Sequence, residues 1–241
     1  MKLLIDPHCH TLASGHSFST VMENAAQAGK KRLRMMGITD HAPGLPGSAH
    51  IFYTKNMHHI PQFISGVEML RGIEANITDI DGRLDVEMDV LEKLDLVLAG
   101  FHEVVIKPTS SGDHTRALLS VMENPWIDVL VHLGNPNFPF DCEKVLAAAK
   151  EKKVLIEINN SSLYLSRKGS TENCRLIAEL CRDMEVPLIV GSDAHIALDV
   201  GNFSKALQLL KDARVPEKLV MNTDVGRFKD FLKGKGKKRF L

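Results

Sequence analysis

The chain has little of what would mark several common functional classes. Its four cysteines (Cys9, Cys142, Cys174, Cys181) show no C-x-x-C spacing, and three lie in stretches that read as helix. Reduced packing thiols are therefore expected, not disulfides or a zinc knuckle. Net charge is absent too: 30 Lys plus Arg balance 30 Asp plus Glu. No overall field steers the chain to nucleic acid or to an anionic membrane, so any anion must be attracted locally. No apolar run approaches the ~20 residues of a spanning helix. The opening MKLLIDPH reaches a charge and a proline too soon for a signal-peptide core. A soluble cytoplasmic protein with no membrane partner is expected. An aromatic-plus-basic stripe is missing as well, which argues against a long nucleic-acid partner.

What is present is alternation. At 241 residues, 44% hydrophobic and 25% charged, the chain fits one globular domain spanning 1–241. Short apolar runs (KLLID, RMMGIT, VEMLRGIEA, LDLVLAGF, IDVLVHL, VLIEIN, PLIVGS and a weaker KLVMN) alternate with amphipathic stretches opened by Ser, Thr, Asp or Asn. Strand then helix, repeated about seven times, predicts a parallel sheet with helices outside. An open doubly wound sheet usually carries G-x-G-x-x-G after its first strand, and that motif is absent. A closed α/β barrel remains, with its chemistry at the carboxyl ends of many strands. The Pro-, Gly- and His-rich run between Asp40 and Val67 reads as a rim loop, and ITDIDGRLDV as a small hairpin around Asp81 and Gly82. The basic, Gly-rich end at about 232–241 reads as a frayed, solvated tail.

The strand ends carry a pattern. His8 and His10 follow the first run, with His16 close behind; His41 follows the second, Glu74 ends the third, His102 follows the fourth and His132 the fifth. The seventh closes with SDAH, giving Asp193 and His195. Residues i and i+2 of an extended segment face the same side, so H-x-H aims two imidazoles at one point. A barrel would bring all these ends to one face. Imidazoles and carboxylates collected there without matching basic partners would repel and desolvate one another unless cations held them. Seven His, one Glu and one Asp are too many for one tetrahedral zinc, and Glu74 can bridge with both oxygens. A cluster of two or three ions is expected, zinc first, with Mn or Fe able to replace some.

The ordered set H-C-H (8–10), G-H (15–16), I-T-D-H (38–41), G-I-E (72–74), F-H (101–102), V-H (131–132) and G-S-D-A-H (191–195) resembles the PHP (polymerase and histidinol phosphatase) superfamily. It is especially similar to the YcdX-type bacterial phosphatases. The resemblance spans essentially the whole chain and implies a distorted seven-stranded (β/α)7 TIM-like barrel with a trinuclear zinc site. It implies that His8, His10, Glu74 and Asp193 hold one ion, Glu74, His102 and His132 a second, and His16, His41 and His195 the third.

The expected activity is hydrolysis of a small-molecule phosphate monoester by hydroxide activated on that cluster. Glu74 and Asp193 are the catalytic carboxylates, and Asp193 or a water it orients is the candidate for returning a proton to the leaving group. Arg167 and Lys168, in the loop after the sixth strand, are the candidate phosphate ligands. Glu157 and Asn159 are candidates for orienting the imidazoles. Rival readings are a phosphodiesterase or exonuclease using the same cluster, an amidohydrolase and a non-catalytic metal-binding protein. His50, His58 and His59 read as rim-loop surface residues, and His114 as incidental.

Overall fold

The computed structural model describes all residues, 1–241. Eight strands form: β1 (Ile5–Asp6), β2 (Met35–Ile38), β3 (Phe63–Ile64), β4 (Val67–Asn76), β5 (Leu96–Gly100), β6 (Val129–Leu130), β7 (Leu155–Asn159) and β8 (Leu188–Gly191). Seven of them pair in parallel in the order β1-β2-β4-β5-β6-β7-β8, and β3 adds to β4 antiparallel. Strands β2, β5, β7 and β8 are buried along their whole length. Such unbroken apolar runs are what a parallel sheet covered on both faces requires. The helices are α1 (Val21–Lys30), α2 (Ile51–Lys55), α3 (Met88–Leu91), α4 (Ser111–Val121), α5 (Cys142–Lys152), α6 (Ser170–Asp183), α7 (Ser204–Asp212) and α8 (Val225–Gly234).

The seam between β8 and β1 lacks a regular ladder and is stitched instead. Asn222 donates from Nδ2 to the carbonyls of Ile5 (3.0 Å) and Val190 (2.8 Å). Beyond the strands, the His10 amide donates to the Ala194 carbonyl (2.9 Å) and the Asp193 amide to the His8 carbonyl (2.9 Å). The motifs H-C-H and S-D-A-H thus close the barrel with the same residues that the sequence marks as candidate metal ligands. The weaker run KLVMN, which contains Asn222, forms 3-10 turns with one parallel bridge, Leu188 to Val220.

Two apolar cores result. The larger lies between strands and helices. The smaller fills the barrel, with one or more inward side chains from each of the seven parallel strands (among them Ile5, Met35, Leu70, Leu96, Val129, Leu155 and Ile189) closed off by Phe228 and Leu232 of α8. Helix α8 is therefore a plug at the amino end of the barrel, where its apolar face is buried against the strand starts.

The basic end departs from its sequence reading. It does not fray: a 3-10 turn forms over Lys238–Phe240, and Lys237 is wholly buried, with Nζ 2.7 Å from Asp128 Oδ2 and donating to the Trp126 carbonyl (3.0 Å). Arg239 pairs with Asp95 (2.7 Å) and Glu68 (2.8 Å). Composition predicted solvation because like charges repel, but three acids at the starts of β4, β5 and β6 supply the opposite sign. All four cysteines are free thiols. His114 is buried in a packing role, its Nδ1 donating to the Pro139 carbonyl (2.8 Å).

Candidate metal centre

The nine strand-end residues meet at the carboxyl mouth of the barrel. Glu74 is at the middle: Oε1 lies 2.6 Å from His132 Nε2 and 3.1 Å from His102 Nε2, and Oε2 lies 2.8 Å from His41 Nδ1 and 3.4 Å from both His8 and His10 Nε2. Asp193 Oδ1 lies 3.1 Å from His10 Nε2 and 3.6 Å from His8 Nε2. His16 and His195 complete the group on its solvent side. Three donor sets have ligand atoms close enough for one ion: His8, His10 and Asp193; His10, His41 and His195; and His41, Glu74 and His102. These sets overlap the partition implied by the resemblance without matching it, because His10 and His41 each stand between neighbouring positions.

Close packing at the mouth explains two motif glycines. A Cβ on Gly100 would lie 2.5 Å from His132 Cε1, and one on Gly191 would overlap Glu157 Oε1. His132 and Asp193 themselves hold left-handed backbones, φ 42° and 54°. Non-glycine residues rarely adopt that region, and it clusters at functional sites.

The hydrogens on the imidazoles can be assigned from their outer partners. His8 Nδ1 meets the Glu157 carboxylate at 2.7 Å; His16 Nδ1 meets the Ser14 carbonyl and His195 Nδ1 the Asp193 carbonyl, both at 3.0 Å. These oxygens only accept, so each Nδ1 carries a hydrogen, and in the neutral ring each Nε2 is a bare lone pair. His10 is set the same way through Ser14 Oγ, which donates its hydrogen to Asp40 and accepts from His10 Nδ1 (3.0 Å). Yet His8 Nε2 faces His10 Nε2 at 3.1 Å, and His16 Nε2 faces His195 Nε2 at 2.9 Å. Two acceptors at that range repel unless a cation sits with them; beside His8 a proton fills that role in the metal-free chain. Glu74 Oε2 and both ring nitrogens of His102 are buried without a hydrogen-bond partner. The donor set fits divalent ions that take imidazole and carboxylate together.

Protonation follows the same geometry. Burial, then His41 and His195, hold His10 well below the usual histidine range. Burial and the Arg167 charge bring His132 down to about 3. For Glu74, burial works upward but His41, His102 and His8 outweigh it, leaving the carboxyl well below its ordinary value. Asp193 is likewise held low by His8 and Arg167 against its burial. His8 is the exception: burial pulls it down, but Glu157, Asp193 and Glu74 raise it well above the usual range. Neutral imidazoles and ionised carboxylates are the ligand forms, and an ion entering beside His8 must displace a proton.

Glu157 and Asn159, on the one parallel strand that contributes none of the nine, hold this arrangement from beneath. Glu157 also accepts from the His132 amide (2.9 Å), and Asn159 Nδ2 donates to both Glu157 (3.0 Å) and Asp193 (3.2 Å). Arg167 reaches the mouth, with Nη1 2.9 Å from Asp193 Oδ2 and hydrogen-bonded to Ser162 and Ser166. Lys168 is exposed beside it and makes no side-chain hydrogen bond. Sequence reasoning missed Ser14 and Asp40, whose signal is the spacing of Ser14 one helical turn beyond His10 and of Asp40 immediately before His41.

A PHP-associated family model matches residues 171–207. A probable phosphatase of Thermoanaerobacter sp. (strain X514) is 49% identical over 239 residues, covering 99% of this chain and 98% of its own length. The chain belongs to the PHP superfamily, alongside its probable phosphatases. A probable phosphatase of Clostridium botulinum (strain Langeland) is 45% identical over 241 residues, 100% of this PHP chain and 99% of the relative. The fold is similar to the crystal structure of histidinol phosphate phosphatase from Lactococcus lactis subsp. lactis, complexed with zinc, L-histidinol and phosphate. That similarity has a TM-score of 0.63 at 18% identity, covering 87% of this chain and 93% of that one.

Proposed function

We propose that this PHP protein hydrolyses a phosphate monoester of a small molecule, using three zinc-type ions held by His8, His10, His16, His41, Glu74, His102, His132, Asp193 and His195. The observation that carries the reading is the facing of bare nitrogens at His16 and His195, with His8 and His10 sharing at most a proton across a second such contact, beside the orphaned Glu74 Oε2. Divalent ions in such a cup would neutralise phosphoryl oxygens and lower the pKa of water from about 15.7 to about 7. The zinc and phosphate in the L. lactis complex support that choice of ion and substrate group.

The chain's own residues supply position and proton transfer. Glu74 directs one oxygen to His102 and His132 and the other to His41, His8 and His10, so a single carboxylate can tie neighbouring ion positions together. Arg167 spends only Nη1 on protein partners. Its remaining N–H groups can take a phosphate oxygen, and exposed Lys168 adds a second cation at the rim. Asp193 is held ionised, so it enters the reaction as a proton acceptor. Asp193, or a water it orients, would take the proton released as water attacks phosphorus and return it to the alcohol oxygen as the P–O bond breaks, giving inorganic phosphate and the free alcohol.

The direct test is His102→Ala, assayed with p-nitrophenyl phosphate and by metal analysis. Loss of turnover with loss of metal is expected; wild-type values for both contradict the reading. The same assay with the bis ester separates monoester from diester chemistry, and faster hydrolysis of the monoester is expected.

A further inference from the structure

We infer that Ser14, held by Asp40, is a positioning residue that decides whether His10 offers a lone pair or a hydrogen to the metal centre. The inference rests on the metal reading above and adds residues that no motif assigned to it. Ser14 ends a 3-10 turn (Leu12–Ser14) that folds the chain back beneath His10, and its side chain is fully buried. Its hydroxyl has one hydrogen and two lone pairs, and all are committed. The hydrogen goes to Asp40 Oδ1 (2.7 Å), while the oxygen accepts from His10 Nδ1 (3.0 Å) and from the His41 amide (3.2 Å). One hydroxyl therefore orients one imidazole and pins the backbone of another.

Asp40 sets the direction of this chain of bonds. It is buried and takes four donors: the Thr11 amide (2.6 Å), Thr11 Oγ1 (2.8 Å), Ser14 Oγ (2.7 Å) and the Tyr53 hydroxyl (2.7 Å). An ionised carboxylate can only accept, so the Ser14 hydrogen points to it and His10 must carry its own hydrogen on Nδ1. His10 Nε2 is then free as a ligand. Without this constraint the opposite tautomer has a ready partner, because Nε2–H would donate to Asp193 Oδ1 only 3.1 Å away. In that arrangement His10 becomes a hydrogen-bond donor and the donor sets it shares with His8, Asp193, His41 and His195 lose a ligand. Tyr53 lies on the rim helix α2, so the rim loop is tied to the same carboxylate.

The test uses the full chain stripped of metal and titrated with zinc against a competing chelator, alongside nitrogen NMR of the histidine side chains. Partners that orient metal ligands typically contribute about 10–100-fold to metal affinity, and Ser14→Ala should weaken zinc binding by that factor. In the metal-free chain the wild-type His10 should be protonated at Nδ1, and the variant should shift toward Nε2. Tyr53→Phe, which removes one of four donors, should weaken zinc less than Ser14→Ala. If Ser14→Ala does not fold, Asp40→Asn takes its place and should bind zinc more weakly than wild type; unchanged affinity overturns the inference. Zinc affinity within about twofold of wild type in folded Ser14→Ala, or a wild-type His10 protonated at Nε2, overturns it as well. Either result leaves the metal reading intact, whereas a wild-type chain that takes up no zinc overturns both.

Discussion

At the carboxyl end of the barrel, Glu74 and Asp193 are surrounded by imidazoles and one guanidinium; at the amino end, Glu68, Asp95 and Asp128 meet lysines and arginine from the last turns of the chain. The amino end is balanced in charge within the protein, although Asp128 Oδ1, like Glu74 Oε2, has no hydrogen-bond partner. Asp128 accepts from the Val97 amide (2.8 Å) and pairs with Lys237; Asp95 accepts from the Arg71 amide (3.0 Å) and pairs with Arg239; Glu68 meets both Arg239 and Lys229. Glu68 ties a strand start to the plug through Lys229, and Asp95 and Asp128 tie two more to the segment that follows it. At the carboxyl end the balance is incomplete, with the lone pairs of His16 and His195 facing each other and Glu74 Oε2 without a hydrogen-bond partner. A buried group left in that state costs free energy unless a ligand completes it. The difference separates a face that serves stability from one that serves binding, as is usual in β/α barrels.

Substitutions at the two ends should therefore fail in different ways. Glu74→Gln should have the largest effect, lowering phosphatase kcat/KM by about a thousandfold or more, which is roughly 4 kcal/mol of transition-state stabilisation. Lys237→Met should act on stability instead. It leaves Asp128 buried and unpaired, and should cost about 3–5 kcal/mol in urea unfolding while turnover per folded molecule stays within about twofold of wild type. A large loss of turnover in folded Lys237→Met would erase the division between the ends.

Acid should also distinguish them. His132 is held near 3, and His10 and His102 below the usual histidine range, chiefly by burial. Between the ordinary histidine value and about pH 3 the unfolded chain binds protons that the folded metal-free chain refuses, so stability falls as pH falls through that window. Glu74 and Asp193, held low, lose their contribution in the same direction below the ordinary carboxylate range. His8, raised, contributes stability below the ordinary histidine value that is lost as pH rises through its folded value. Asp128 is raised by burial against Lys237, so its contribution is present in acid and lost as pH climbs through its folded value. The urea midpoint of the metal-free chain should drop from pH 7 to pH 4, and less steeply in His132→Asn; a rise would contradict the assignment of the mouth as the acid-sensitive end. The smallest effect is expected at Lys238, whose pair with Glu92 is exposed at 3.5 Å. Lys238→Ala should change stability by about 0.5 kcal/mol or less.

The parts of the molecule legible from sequence were those with a short period. Apolar runs mark all seven parallel strands because their two covered faces leave no polar alternation to blur them, and H-x-H marks the mouth because i and i+2 share a side. Four of the six longer helices open on side-chain caps, such as Thr20 with Glu23 and Asp141 with Lys144, whereas α6 and α7 open on Gly169 and Phe203 without the cap expected of them. Helices α2 and α3 did not show, at five and four residues, too short for a periodic pattern. The tail was misread because burial of Lys237 depends on Asp128, 109 positions earlier and on another strand. Neither residue's local neighbourhood announces the pair. Separation along the chain also hid the turn of Arg167 toward Asp193 and the bond of Ser14 to Asp40, each 26 positions apart and made by side chains from different loops. The convergence of the nine residues was legible; which of them would serve which ion was not, because His10 and His41 lie within reach of more than one set.

The most direct measurement is anomalous diffraction at the zinc edge from crystals of the full chain grown with zinc. Three peaks are predicted inside the ring of His8, His10, His16, His41, Glu74, His102, His132, Asp193 and His195, with His8 and His10 Nε2 pointing at one of them. No peak in that ring, with zinc bound instead at exposed sites such as His58 and His59, would contradict it.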